Sequence, residues 1–79
     1  MAKGSNIVHQ YFRKEIEGAK ILVKVDPIHF IGSEITVSAD GHAELREMQF
    51  DQDIFEDLNV DGFAEASPLE FNLYLNGLV

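Results

Sequence analysis

The stretch Glu34-Ile35-Thr36-Val37-Ser38-Ala39-Asp40-Gly41-His42-Ala43-Glu44-Leu45-Arg46 decides the reading of the chain, because turn chemistry and strand register agree within it. Ile35 and Val37 alternate with Glu34, Thr36 and Ser38, the period of a half-buried strand. Asp40-Gly41 is a turn signal, since Gly reaches positive φ without a Cβ clash. A three-residue loop Ala39-Asp40-Gly41 then sets Ser38 opposite His42, Val37 opposite Ala43, Ile35 opposite Leu45 and Glu34 opposite Arg46. The apolar residues share one face, and an opposite-charge pair falls on the other. A two-residue Asp-Gly turn would set Val37 against Glu44 and Ile35 against Arg46, which spoils the alternation. Residues 43–49 are also good helix formers, but turn and register favour a hairpin over 34–46.

Outward from the hairpin, Lys20-Ile21-Leu22-Val23-Lys24-Val25 reads as a strand rich in β-branched residues, stopped by Asp26-Pro27. Residues 28–32 form a connection or an irregular edge. Upstream, residues 1–4 read as a frayed start, and Ser5 caps an expected helix running to Glu17. Ile7, Val8, Tyr11, Phe12 and Ile16 fall on one side of that helix, and Gly18 suits its C′ position.

Downstream of Arg46 the apolar phase shifts. Leu45 belongs to one register and Met48 and Phe50 to the other, as a β-bulge near Arg46-Glu47 or a strand end there would give. Residues 51–58 read as a short helix capped by Asp51, with Ile54, Phe55 and Leu58 inward, and residues 59–65 as turns. Leu69, Phe71, Leu73 and Leu75 alternate as a strand would. Against that, Ser67-Pro68-Leu69-Glu70 is a capping box with Pro at the first helical position, and Asn76-Gly77 is a helix stop, so the segment reads as a helix. The expected fold is α+β: an N-terminal helix, a three-stranded antiparallel sheet in a meander, and two short C-terminal helices packed on one sheet face.

The chain of 79 residues accommodates one domain, spanning 1–79, with a small core. Without Cys there is no disulfide, thiolate nucleophile or cysteine metal site. The longest uninterrupted aliphatic run is Ile21-Leu22-Val23, and the N-terminus has no apolar leader segment, so a soluble cytoplasmic protein is expected.

The net charge of −8 is unevenly spread. Lys3, Arg13, Lys14, Lys20, Lys24 and Arg46 are all the basic residues, and none follows position 46. Glu47, Asp51, Asp53, Glu56, Asp57, Asp61, Glu65 and Glu70 all do. This distribution disfavours direct binding to nucleic acid or an anionic membrane and is compatible with a basic protein partner or a divalent cation. Asp51, Asp53, Glu56 and Asp57 are the expected partner contacts. A solvated acidic face that maintains solubility is the plainer alternative.

Asp57-Leu58-Asn59-Val60-Asp61-Gly62 resembles the first half of an EF-hand calcium loop, with oxygen ligands at positions one, three and five and Gly at six. The resemblance implies calcium ligation by Asp57, Asn59, Asp61 and Glu65, with the Phe63 carbonyl at position seven. It covers about a dozen residues. Position eight is Ala64, position twelve is Pro68 where a bidentate carboxylate belongs, and Glu70 falls two residues late.

His9, His29 and His42 lack metal-ligand spacing, no serine has nucleophile-elbow surroundings, and no Gly-rich phosphate loop exists. The expectation is therefore a non-enzymatic interaction or accessory protein without a cofactor. A calcium-responsive module over 57–68 is the alternative, followed by a small-ligand carrier or small enzyme. Leu69, Leu73, Tyr74 and Leu78 exceed what a thin sheet covers, which also points to self-association.

Overall fold

Glu17 and Gly18 both adopt positive φ, 50° and 86°, and the chain reverses there instead of ending a helix. In the computed structural model, which describes residues 8–78, this two-residue turn joins β1 (Gln10–Ile16) to β2 (Ala19–Val25), with Ile16 opposite Ala19. Two consecutive positive φ values match the twist of an antiparallel pair, so Gly18 serves the hairpin. The expected N-terminal helix is thus corrected to a strand. Its proposed cap Ser5, and the frayed start at 1–4, lie outside the described residues.

Three further strands complete one antiparallel sheet: β3 (Ile31–Val37), β4 (Ala43–Gln49) and the two-residue β5 (Ala64–Glu65), in the order β4-β3-β2-β1-β5. The three-stranded sheet expected from the sequence therefore has five strands. The 34–46 hairpin has the expected register, with Val37 opposite Ala43, Ile35 opposite Leu45 and Glu34 opposite Arg46. The Gly41 N–H donates to the Ser38 carbonyl at 2.9 Å, and Gly41 has φ 93°. No bulge follows Arg46. The ladder runs on without interruption to Gly32 opposite Met48 and Ile31 opposite Gln49.

The reason lies in the two helices, α1 (Ile54–Val60) and α2 (Pro68–Leu78), which cover opposite faces of the sheet and not the same one. Leu22 and Ile35 pack with Phe71 of α2, joined by Tyr11, Val37, Leu45, Tyr74 and Leu75. Val23 and Val25 pack with Leu58 of α1, joined by Phe12, Ile21, Phe50, Ile54 and Phe55. Adjacent strand residues point to opposite faces, so a strand buried on both sides loses its alternation. Tyr11 and Phe12 are such a pair, and each has an aromatic partner. Tyr11 meets Phe71 edge-on at 5.6 Å between centroids, and Phe12 meets Phe55 at 5.9 Å. The apolar phase shift after Leu45 is likewise a change of covered face: Leu45 joins the α2 side and Phe50 the α1 side.

α1 begins after Asp53 rather than at Asp51, and it closes through Gly62 at φ 86°. Phe63 N–H donates to the Leu58 carbonyl at 2.9 Å and Gly62 N–H to the Asn59 carbonyl at 3.2 Å. This is a Schellman closure, reinforced by Phe63 packing in the cluster that holds Leu58. The chain then forms β5 along β1, where Ala66 N–H donates to the Tyr11 carbonyl at 2.8 Å. α2 starts as its capping signal requires, with Glu70 N–H donating to Ser67 Oγ at 3.2 Å. It runs through the expected stop at Asn76-Gly77.

Gly32 stands where β2 and β3 approach closely. A Cβ there would lie 1.8 Å from the Lys24 carbonyl oxygen and 3.1 Å from the Phe50 ring. No helix among the described residues is long and apolar enough to cross a membrane.

Candidate functional site

Arg13, Lys14, Lys20, Lys24 and Arg46 sit on the strands, and the sheet assigns them to faces. Arg13 and Lys20 project on the α2 side, with the same parity as Leu22. There they meet Glu70, the acid in the first turn of α2. Lys20 Nζ lies 3.3 Å from Glu70 Oε2 and donates to Tyr74 Oη at 3.2 Å, with its charge 5.3 Å from the Tyr74 ring centre. Arg13 stands 3.6 Å from the same Glu70 oxygen and also pairs with Glu15. The Tyr74 hydroxyl raises the Lys20 pKa above its ordinary value against the opposing effect of burial, and Glu70 adds to the rise. This cluster pins α2 to the first hairpin.

The acids around α1 have no such partner. Asp51, Asp53, Glu56 and Asp57 are all exposed, and among the described residues none forms an ion pair. The strand residues that pack under α1 are Phe12, Ile21, Val23 and Val25, and Arg46, on the same face of the sheet, stands 3.9 Å from Glu34 of the neighbouring strand. Lys14 does reach α1, but at its other end. Its ammonium donates to the Asp61 carbonyl, where the helix C-terminus favours positive charge, and lies 5.8 Å from the Phe63 ring centre. The structure therefore brings the four expected partner contacts together at the start of α1 with their charge uncommitted.

The EF-hand-like residues are placed differently from a calcium loop. Asp57 and Asn59 lie within α1, Asp61 is its C-cap, and Glu65 belongs to β5. Gly62 closes a helix instead of turning a ligand loop. Among the described residues no three His, Cys, Asp or Glu side chains gather as a metal requires.

The histidines also separate. His42 stands 3.5 Å from Glu44 at the exposed hairpin end, while His29 serves the β2–β3 turn. There Asp26 is buried and accepts from Ile28 N–H at 2.8 Å, His29 N–H at 3.0 Å and, through its other oxygen, His29 Nδ1 at 2.9 Å. The His29 ring first, then the two backbone donors, hold the Asp26 carboxyl down to about 2, against the opposing effect of burial. This network went unread in the sequence, although Asp-Pro-x-His is an Asx-turn signal. It is a turn clamp, and Asp26 also lines one wall of a recess beside it.

This recess, of about 440 Å³, opens on the α2 side of the sheet. His9, Lys24, Ser33, Glu47 and Gln49 line it, and Ser33 Oγ donates to Glu47 at 3.2 Å. It is open to solvent and joins no nucleophile to a base in a hydrogen-bonded triad.

The chain matches no protein-family model, no curated protein and no solved structure.

Proposed function

We propose that this is a non-enzymatic interaction protein that presents the start of α1 to a basic segment of a protein partner. The observation that carries this reading is the contrast in acid placement: Glu70 is neutralised by Arg13 and Lys20, whereas Asp51, Asp53, Glu56 and Asp57 face solvent without a cation among the described residues. Four like charges on a short stretch repel one another, and an approaching cationic segment relieves that repulsion. The affinity gained this way is salt-sensitive, because screening acts over about 8 Å at physiological ionic strength.

The test is binding of an oligolysine peptide by fluorescence anisotropy at low and high salt. The double variant Asp53→Lys/Glu56→Lys is compared with Glu17→Lys/Asp40→Lys, which changes net charge equally at the exposed β1–β2 and β3–β4 turns. The proposal expects the α1 variant to lose most of the binding and the control to keep most of it. Equal losses would reduce the effect to net charge and remove the α1 surface from the account.

A further inference from the structure

The β4 edge of the sheet is unlike the β1 edge. On the β1 side, β5 and the Ala66 N–H take up part of the outer ladder. On the β4 side, the whole of Ala43–Gln49 ends the sheet, and no described residue pairs with its outer rim. Proteins ordinarily guard such an edge with charged side chains, Pro, a bulge or a very short strand. β4 has seven residues in unbroken register with no Pro, and its charges, Glu44, Arg46 and Glu47, are of both signs, so they can match a partner strand instead of only repelling one.

The ladder shows which backbone groups face outward. Ser38 N–H donates to the His42 carbonyl and Phe50 N–H to the Phe30 carbonyl, each at 2.7 Å. Residues 42, 44, 46, 48 and 50 therefore direct their groups to β3, and Ala43, Leu45, Glu47 and Gln49 direct theirs outward.

We infer that this rim pairs antiparallel with β4 of a second copy of the chain, with the two-fold axis at Leu45. In that register Leu45 faces its own copy and Ala43 faces Glu47, and all of these positions carry outward backbone groups. Glu44 then lies opposite Arg46 of the other copy, twice by symmetry, at the close positions between hydrogen-bonded pairs. Centring the axis on Glu44, Arg46 or Glu47 instead sets a charged residue against its own kind. Of these four registers only the Leu45 one matches charge as well as hydrogen bonding. Both copies keep α2 on the same side, and their two sheets become one. An extended peptide from another protein could satisfy the backbone, but the reciprocal Glu44–Arg46 match is a property of two identical strands.

Sedimentation velocity over a concentration series at about 0.15 M salt tests this. The wild type is expected to dimerise. Glu44→Arg alone and Arg46→Glu alone each set like charges opposite each other in a self-pair, and each is expected to dimerise roughly tenfold or more weakly. Mixed in equal amounts, the two variants restore the opposite-charge pairs and should form a heterodimer. That recovery separates a lost interface from a lost fold. Glu47→Pro removes an outward N–H while leaving the β3 ladder intact, and it should also weaken the dimer. In the wild type, amide exchange at Ala43, Leu45 and Glu47 should slow as concentration rises. A wild type that stays monomeric, variants that self-associate as well as wild type, or a dimer protecting the exposed Leu69 and Leu73 of α2 instead, would each overturn the inference.

Discussion

The two helices differ in what the sheet offers them. Both are short and both carry acid in the first turn. α2 lies over the strand face that displays Arg13 and Lys20, and its Glu70 is drawn into an ion-paired, half-buried cluster. α1 lies over an aromatic and β-branched face, and its acids have nowhere to go but outward. Acidic composition alone therefore says little about an acidic surface. The same residue type is an internal tether on one side of the sheet and an uncommitted charge on the other, and the decision lies in which cations stand within reach: Arg13 and Lys20 beside Glu70, with Lys14 and Arg46 engaged by Asp61 and Glu34.

The comparison breaks most readily at the anchors. Phe71 is 1% exposed and links α2 to Tyr11, Leu22 and Ile35. Phe71→Ala should cost about 3–5 kcal/mol, and Leu58→Ala on the other side about 2–5 kcal/mol, measured by denaturant unfolding. Each should loosen its own helix first, seen as local loss of amide protection. Simultaneous loss of both helices in either variant would contradict two separately anchored faces.

Acid offers the next test. Asp26 has its folded pKa lowered from 3.8 to about 2, so its contribution is present above about pH 4 and lost as pH falls between those values. A thermal midpoint that drops across this range in the wild type, and drops less in Asp26→Asn, is the expected result. Equal slopes would remove Asp26 from the account.

A smaller effect sharpens the contrast between the helices. Lys20→Met cuts the contacts to Glu70 and Tyr74 and should cost up to about 1 kcal/mol, as part-exposed ion pairs do. Glu56→Gln and Asp53→Asn should change stability by no more than about 0.5 kcal/mol, since each removes an unpaired surface charge. A larger loss at Glu56 than at Lys20 would invert the assignment. The smallest expected response is to calcium. Backbone amide shifts at residues 57–65 should stay still through millimolar calcium, and a saturable downfield move of the Gly62 amide would restore the loop reading.

The hairpin over 34–46 was legible because a glycine turn and an alternating pattern fix one register together. α2 was legible from Ser67, Pro68 and Glu70, whose capping role is local. β1 was not, for a physical reason. Tyr11 and Phe12 are apolar neighbours because each face of the sheet has its own helix, and a doublet of that kind fits helical spacing as well as it fits a strand covered on both sides. Gly18 serves a helix end and a tight hairpin equally. β5 is too short to carry any period. At the candidate site, the acids themselves were plain in the sequence. That Glu70 is tethered while Asp53 is not depends on long-range pairing of Arg13 and Lys20 with a residue 50 positions or more away, which no local pattern encodes.

The central claim is that the start of α1 is the uncommitted acidic surface. The most direct measurement is an NMR titration of the isotope-labelled protein with an oligolysine peptide, following every backbone amide. The account predicts saturable, salt-sensitive shifts concentrated at residues 51–57, with little change around Glu70. Shifts spread evenly over Glu17, Glu44 and Glu65 as well, or centred on Glu70, would contradict it.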